Sequence, residues 1–222
     1  MSLIQAVRPR AAAQVPEPPI ARFLFADPRM AWFWLIVRVY VAYEWLTAGL
    51  EKLTGTNFAI GAGFGTHDPK TQWVFTPTTG AAIKGFVKGA LAQTSTAHPN
   101  VQGWYAGFLQ TFVLPHPAFW AYAITFGEVA VGLGLLVGAL TGIAAFFGLF
   151  MNLNYLLAGT VSTNPILGVA ALFLVLAWRV AGYYGVDAYL LPLLGTPWTG
   201  KLAGKSDAEI AESVGRRHAV VA

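Results

Sequence analysis

Ionisable side chains stand inside stretches of this chain that are otherwise suited only to apolar surroundings. Arg38 and Glu44 interrupt the run from Met30 to Leu53, and Glu128 interrupts that from Ala118 to Leu140. Asn152 and Asn154 fall within Gly142 to Gly159. A charge inside lipid costs a few kcal/mol or more, so such groups face a bundle interior, pair with one another, or line a polar pathway. The stretches must therefore pack together with these residues turned inward. Only 11% of the 222 residues are charged and 56% are hydrophobic, whereas soluble domains run near a quarter charged. The composition reads as an integral membrane protein with one compact bundle.

The apolar pattern predicts four spanning helices, at about 30–53, 118–140, 142–159 and 166–181. A bilayer core needs about 20 residues of helix, so the last two are short. The first stretch is too long for a signal h-region and contains Arg38 and Glu44, so it reads as a retained helix. Between the first two spans, Asn57–Thr79 is rich in Gly, Thr and Pro and reads as loop. Ile83, Phe86, Val87, Ala90 and Leu91 then repeat at helical spacing, which predicts an amphipathic helix. A second short helix is expected to carry Val101, Trp104, Tyr105, Phe108 and Phe112 on one side. Together these form a helical cap on the bundle mouth. A short interfacial segment is expected at Ile20–Phe25, an aromatic belt at Tyr183, Tyr184, Tyr189 and Trp198, and a capped helix at Ser206–Val214.

The fold class expected is all-α: a four-transmembrane-helix bundle with an extracytoplasmic loop of short amphipathic helices. Residues 1–29 form a cytoplasmic N-terminal tail, and 30–190 the membrane domain with its cap at 54–116. Residues 191–222 form a cytoplasmic C-terminal tail. The orientation follows from four Lys or Arg in each tail against three in the long first loop. This places the protein in a plasma membrane as a multi-pass protein. The basic residues read as juxtamembrane anchors, and no interleaved aromatic–basic run argues for nucleic acid.

Counting helical rise of ~1.5 Å per residue from the span ends puts Arg38, Glu128 and Asn152 at about one depth. Two readings of that layer stand. In one, Arg38, Glu128 and Asn152 line a polar pocket with Glu44 on its rim. In the other, Arg38 and Glu128 form an ion pair that fixes helix packing. On the first helix Arg38, Val41, Trp45, Gly49 and Lys52 share one face, and Glu44, Thr47, Ala48 and Glu51 another. Glu51 and Lys52 read as interfacial, and Asn154 as helix-packing glue. Trp45 and Tyr40 are candidates to stack on a flat ligand, and His116, at the mouth of the second span, to contact one. The four histidines lie outside the spans and no cysteine is present, so neither intramembrane haem nor a thiolate metal site is expected.

Two segments resemble the DoxX/DoxD family of four-span bacterial and archaeal membrane proteins. One runs from Arg38-Val39-Tyr40 through Glu44-Trp45-Leu46-Thr47-Ala48-Gly49-Leu50-Glu51-Lys52-Leu53. The other begins Phe126-Gly127-Glu128 and continues to Gly138; Met151-Asn152-Leu153-Asn154 fits less specifically. The resemblance spans about residues 30–190, and the long Gly- and Pro-rich first loop and basic C-terminal tail depart from it. It implies a bacterial or archaeal plasma-membrane protein. One branch of the family is the small membrane subunit of thiosulfate:quinone oxidoreductase, so the implied function is a subunit of a quinone-linked oxidoreductase. On that reading Arg38 would stabilise an oxyanion and Glu128 or Glu44 would exchange protons, with quinone as the implied cofactor. The alternative is a non-catalytic structural or assembly subunit of a larger membrane complex. Other complex subunits or further copies of the chain are the partners expected besides the bilayer.

Overall fold

In a computed structural model of the chain, residues 18–194 are described, apart from Ala62 and Thr96. The predicted helix at Ser206–Val214 and the belt residue Trp198 lie outside the described residues.

The described chain is helical throughout, with a single isolated β-bridge between Thr56 and His67. Helix α1, Pro19–Ala26, is followed by a 3-10 turn and then by α2, Ala31–Thr54. The cap supplies α3, Ala81–Ala92, and α4, Gly103–Phe108, which runs into a π turn at Leu109–Val113. Helices α5, Pro117–Val137, α6, Thr141–Leu157, and α7, Asn164–Leu176, follow. Two short helices end the described chain, α8, Trp178–Ala181, and α9, Asp187–Leu193. The four apolar stretches are thus α2, α5, α6 and the α7–α8 pair. Pro117 and Pro165 sit in first turns, where a missing N–H costs nothing.

One helix among the described residues, α5, is long and apolar enough to cross a membrane by length and composition alone. Helices α6 and α7 are apolar but shorter, at 17 and 13 residues. In α2 the charges of Arg38, Glu44, Glu51 and Lys52 dilute the apolar run.

Helix α2 packs mainly on α5, and α6 mainly on α7. Two apolar cores result. The bundle core holds Trp34, Val41, Trp45, Val131, Leu135, Ala145 and Leu174. The second lies under the cap and holds Val74, Ile83, Val87, Val101, Tyr105 and Leu109. The α3 stripe read from the sequence is present, with Ile83, Val87 and Ala90 buried. The α4 stripe is only partly present. Val101 and Tyr105 are buried, but Trp104 and Phe112 are 67% and 59% exposed. The π turn widens the helix by one residue per turn, so Leu109 and Val113 take the inward positions and Phe112 swings out. Tyr105 docks this cap on the bundle by donating its hydroxyl to the backbone oxygen and Oδ1 of Asn154, each at 3.0 Å. Burial pushes the Tyr105 hydroxyl up to about 12, so it remains a donor at neutral pH.

Glycine sets the register of α2 against α5. A Cβ at Gly132 would stand 2.6 Å from Leu46 Cγ and 2.8 Å from its backbone nitrogen. One at Gly49 would stand 2.9 Å from the backbone nitrogen of Val129. The two backbones meet at these points, so Leu46 is level with Gly132 and Gly49 with Glu128 and Val129. Gly132→Ala is therefore expected to force α2 from α5 and lower stability by about 1–3 kcal/mol, the usual cost of overpacking. Gly85→Ala, where an added Cβ meets nothing within 4 Å, should be neutral or stabilising. Unfolding both variants in one detergent checks the contrast.

Candidate functional site

Glu128 is almost wholly enclosed, with its side chain 2% exposed, and both its oxygens are occupied. Lys52 Nζ lies 2.6 Å from Oε2, and the Tyr155 hydroxyl donates to Oε1 at 2.7 Å. Three helices contribute: α2 carries Lys52, α5 carries Glu128 and α6 carries Tyr155. The ammonium also faces the Trp73 ring at 5.0 Å, so the loop before the cap closes over the pair. Removing a buried charge's only counter-ion costs about 3–5 kcal/mol, which explains why the carboxylate holds two donors at short range.

The cluster borders a cavity of about 300 Å³. Glu44, Ala48 and Lys52, four residues apart on α2, form one wall. Trp45, Trp73, Phe86 and Tyr155 supply aromatic surface, and the turn at Thr160–Asn164 adds hydroxyl and amide groups. Phe86 and Tyr155 also line a smaller apolar cavity of about 120 Å³ under the cap. That cavity shares Trp120, Ile124, Phe150 and Met151 with an outer groove of about 520 Å³ between α5 and α6. A series of apolar spaces thus runs from the outer face of the bundle to Tyr155.

The expected layer of Arg38, Glu128 and Asn152 does not form. Arg38 is 1% exposed, but it lies beside Gly138 at the C-terminal end of α5. Its Nη2 donates to the carbonyl of Tyr184 at 2.9 Å, and its electrostatic partner is Asp187. Asp187 accepts from the backbone N–H groups of Leu140 and Thr141 at 2.6 and 2.8 Å, capping the start of α6. Gly138, at φ 68°, turns the chain where a side chain would collide with the guanidinium. Arg38 therefore ties α2 to the α5–α6 turn and to the segment before α9. The ion pair expected between Arg38 and Glu128 is replaced by two separate charge centres, fourteen residues or ~21 Å apart along α2. The depth estimate failed because it set the ends of α2 and α5 level. The glycine contacts shift α2 by about three turns, which brings Lys52, and not Arg38, to Glu128.

The other sequence candidates divide. Glu44 and Trp45 line the cavity with Glu128. Asn152 is fully buried on α6 and faces Gly168 of α7, and neither amide atom has a hydrogen-bond partner. Tyr40 is 41% exposed on the outer face of α2. His116 is exposed just before α5, twelve residues or ~18 Å of helix from Glu128. Lys52, read as interfacial, is instead the counter-ion of Glu128. Tyr155 and Asp187 were missed. Lys52 carried a signal, since it continues the stripe of Arg38, Val41, Trp45 and Gly49, all of which are buried. Tyr155 follows Asn152 by three positions on α6, a spacing that a helix places on one side.

Lys52→Met is expected to destabilise the chain by about 3–5 kcal/mol by stranding the carboxylate. The double change K52M/E128Q should recover most of that loss. Simple additivity of the two single changes in detergent unfolding would contradict the pairing.

Among the described residues, no group of three or more His, Asp or Glu is placed to hold a metal ion. The family model described as DoxX matches residues 86–161, which run from within α3 to the turn after α6 and include Glu128 and Tyr155. The similarity seen at Arg38–Leu53 lies outside the matched residues. No curated protein and no solved structure matches. Over residues 86–161, about a third of its length, the chain is similar to the DoxX family.

Proposed function

We propose that this chain is a four-span membrane subunit of a quinone-linked oxidoreductase, of the thiosulfate:quinone type, with its site at the Lys52–Glu128–Tyr155 cluster. The observation that carries this reading is a buried Lys–Glu–Tyr cluster beside an aromatic-walled cavity, approached through apolar spaces that open on the outer face. Such a route suits a lipid-soluble molecule with a polar head.

Support for four spans comes from the outer surface. Ile143, Phe146, Phe147 and Phe150 on α6 are exposed, as are Ile166, Val169, Leu172 and Phe173 on α7. A soluble monomer rarely shows so much contiguous apolar surface. Helix α2 would extend ~36 Å, and the α7–α8 pair ~27 Å, close to the ~30 Å of a bilayer core. The basic excess of the tails favours a cytoplasmic position for both termini.

The donor set of the cavity fits a quinone headgroup. Lys52 has N–H groups beyond the one that it gives Glu128, suited to a carbonyl oxygen, and Trp45, Trp73 and Phe86 offer flat apolar faces. A bound quinone supplies acceptance of two electrons and two protons. This chain's own residues orient the head, keep water scarce, and hold exchangeable protons at the Tyr155 hydroxyl and on the cavity-facing Glu44. Glu128 positions both donors by accepting from each. Electrons would arrive from a partner subunit that oxidises the donor substrate. Arg38, tied up at Tyr184 and beside Asp187, supports packing on this reading.

The rival is a structural or assembly subunit, which needs no ligand in the cavity. Gentle purification from native membranes separates the two, with extracted quinone and thiosulfate-dependent quinone reduction as readouts. The proposal predicts bound quinone, and a fall in turnover of about 100-fold or more in Glu128→Gln or Tyr155→Phe with assembly intact, as for a lost acid–base group. A large complex without quinone, or full turnover in Glu128→Gln, would contradict it.

A further inference from the structure

The outer groove between α5 and α6, of about 520 Å³, follows α5 from Trp120 to Gly134, fourteen residues or ~21 Å of helix. Ala123, Gly127 and Ala130 of α5 form one wall, and Ile143, Phe147 and Phe150 of α6 the other. Small side chains on one helix face large ones on the next, which leaves a trough between them.

At its cap end the trough turns inward. Trp120, Ile124, Phe150 and Met151 line it and also line the cavity of about 120 Å³ under the cap. Gly127 stands at this neck, where an added Cβ would lie 3.3 Å from Met151 Sδ, on a flexible side chain. The inner cavity ends at Phe86 and Tyr155, whose rings meet edge-on at 6.3 Å. Both rings also line the cavity of Lys52 and Glu128 on their far side. Tyr155 is held by its hydrogen bond to Glu128, so a passage between the two spaces opens by displacement of Phe86.

A further apolar groove, of about 500 Å³ between α2 and α7, shares no lining residue with the Glu128 cavity or with the cavity under the cap. Continuity therefore distinguishes the α5–α6 trough. A phospholipid acyl chain hangs from a headgroup at the bilayer surface and makes no use of the inward turn. A chain tied to a ring beside Lys52 leaves past Tyr155, Met151 and Trp120, and the trough receives it where it emerges.

We infer that the α5–α6 groove binds the isoprenoid tail of a quinone, with Phe86 and Met151 at the two necks of the passage, so that the protein selects for the tail as well as the head. The inference rests on the quinone reading of the Lys52–Glu128–Tyr155 cluster.

The test uses the 222-residue chain in a neutral detergent, titrated with coenzyme Q analogues that carry either no isoprene unit or two. Occupancy is read by native mass spectrometry. The tailed quinone should bind more tightly than the tailless one, and farnesol, a tail without a ring, should displace the first and spare the second. A130F, which fills the groove, should weaken the tailed quinone about tenfold, the effect of overpacking a fitted space, and leave the tailless one unchanged. F147A, which removes a wall, should act in the same selective way. Both positions are exposed, so folding is preserved. V169F, in the α2–α7 groove, should change neither. Equal binding of the two quinones, or an unchanged preference in A130F and F147A, would overturn the inference and leave the headgroup site standing. So would a selective loss in V169F alone, which would route the tail between α2 and α7. A copurified phospholipid lost in A130F, with quinone binding unaffected, would mark an acyl-chain groove and overturn it too. Binding of neither quinone would remove the headgroup reading itself, and the inference with it.

Discussion

A carboxylate enclosed among apolar helices must be matched by donors, and Glu128 is matched by two, from two different helices. Lys52 and Tyr155 each reach it within hydrogen-bond distance, so α2, α5 and α6 are fixed relative to one another at this point. The geometry requires α2 and α5 to lie in one register. Gly49 and Gly132 provide it by letting the backbones touch level with Glu128 and again one turn further toward Arg38. The cavity, its aromatic walls and the loop over Lys52 all follow from where that contact is made.

The chain keeps its two buried charge centres apart and gives them different surroundings. Arg38 sits among glycines and a backbone carbonyl, with Asp187 engaged in capping α6. That arrangement ties α2 to the α5–α6 turn and to the segment before α9, and leaves Nε and Nη1 of the guanidinium buried without a hydrogen-bond partner. Glu128 borders a cavity with flat apolar walls and further polar groups. The two charge centres thus lie toward opposite ends of α2, with the cavity in the half of the bundle beneath the cap.

Much of the architecture was legible because its signals are local. The α3 stripe, the start of α5 at Pro117 and the helical identity of all four apolar stretches depend on spacing within one segment, whereas Gly138, inside the expected span 118–140, instead ends α5. The α4 face was misread at Phe112 because a π turn breaks the period that the stripe assumes. Part of the cavity's polar lining, Glu128 and Glu44, was legible as polar residues in apolar surroundings. Its pairing was not legible, because pairing depends on how far α2 slides along α5. The slide is set by glycine contacts, which leave no mark in hydropathy. Lys52 looked interfacial from its place at a helix end, although its own stripe pointed inward. Tyr155 looked like one aromatic among many.

The account depends on Lys52, and not Arg38, being the neighbour of Glu128. The chain has no cysteine, so introduced pairs report without background. The most direct measurement is cross-linking of K52C/E128C and of R38C/E128C, in membranes, with a short bifunctional thiol reagent. The structure predicts efficient intramolecular cross-linking for the first pair and none for the second, whose positions are separated by ~15 Å of helix. Cross-linking of R38C/E128C with none in K52C/E128C would contradict the register, and with it the site.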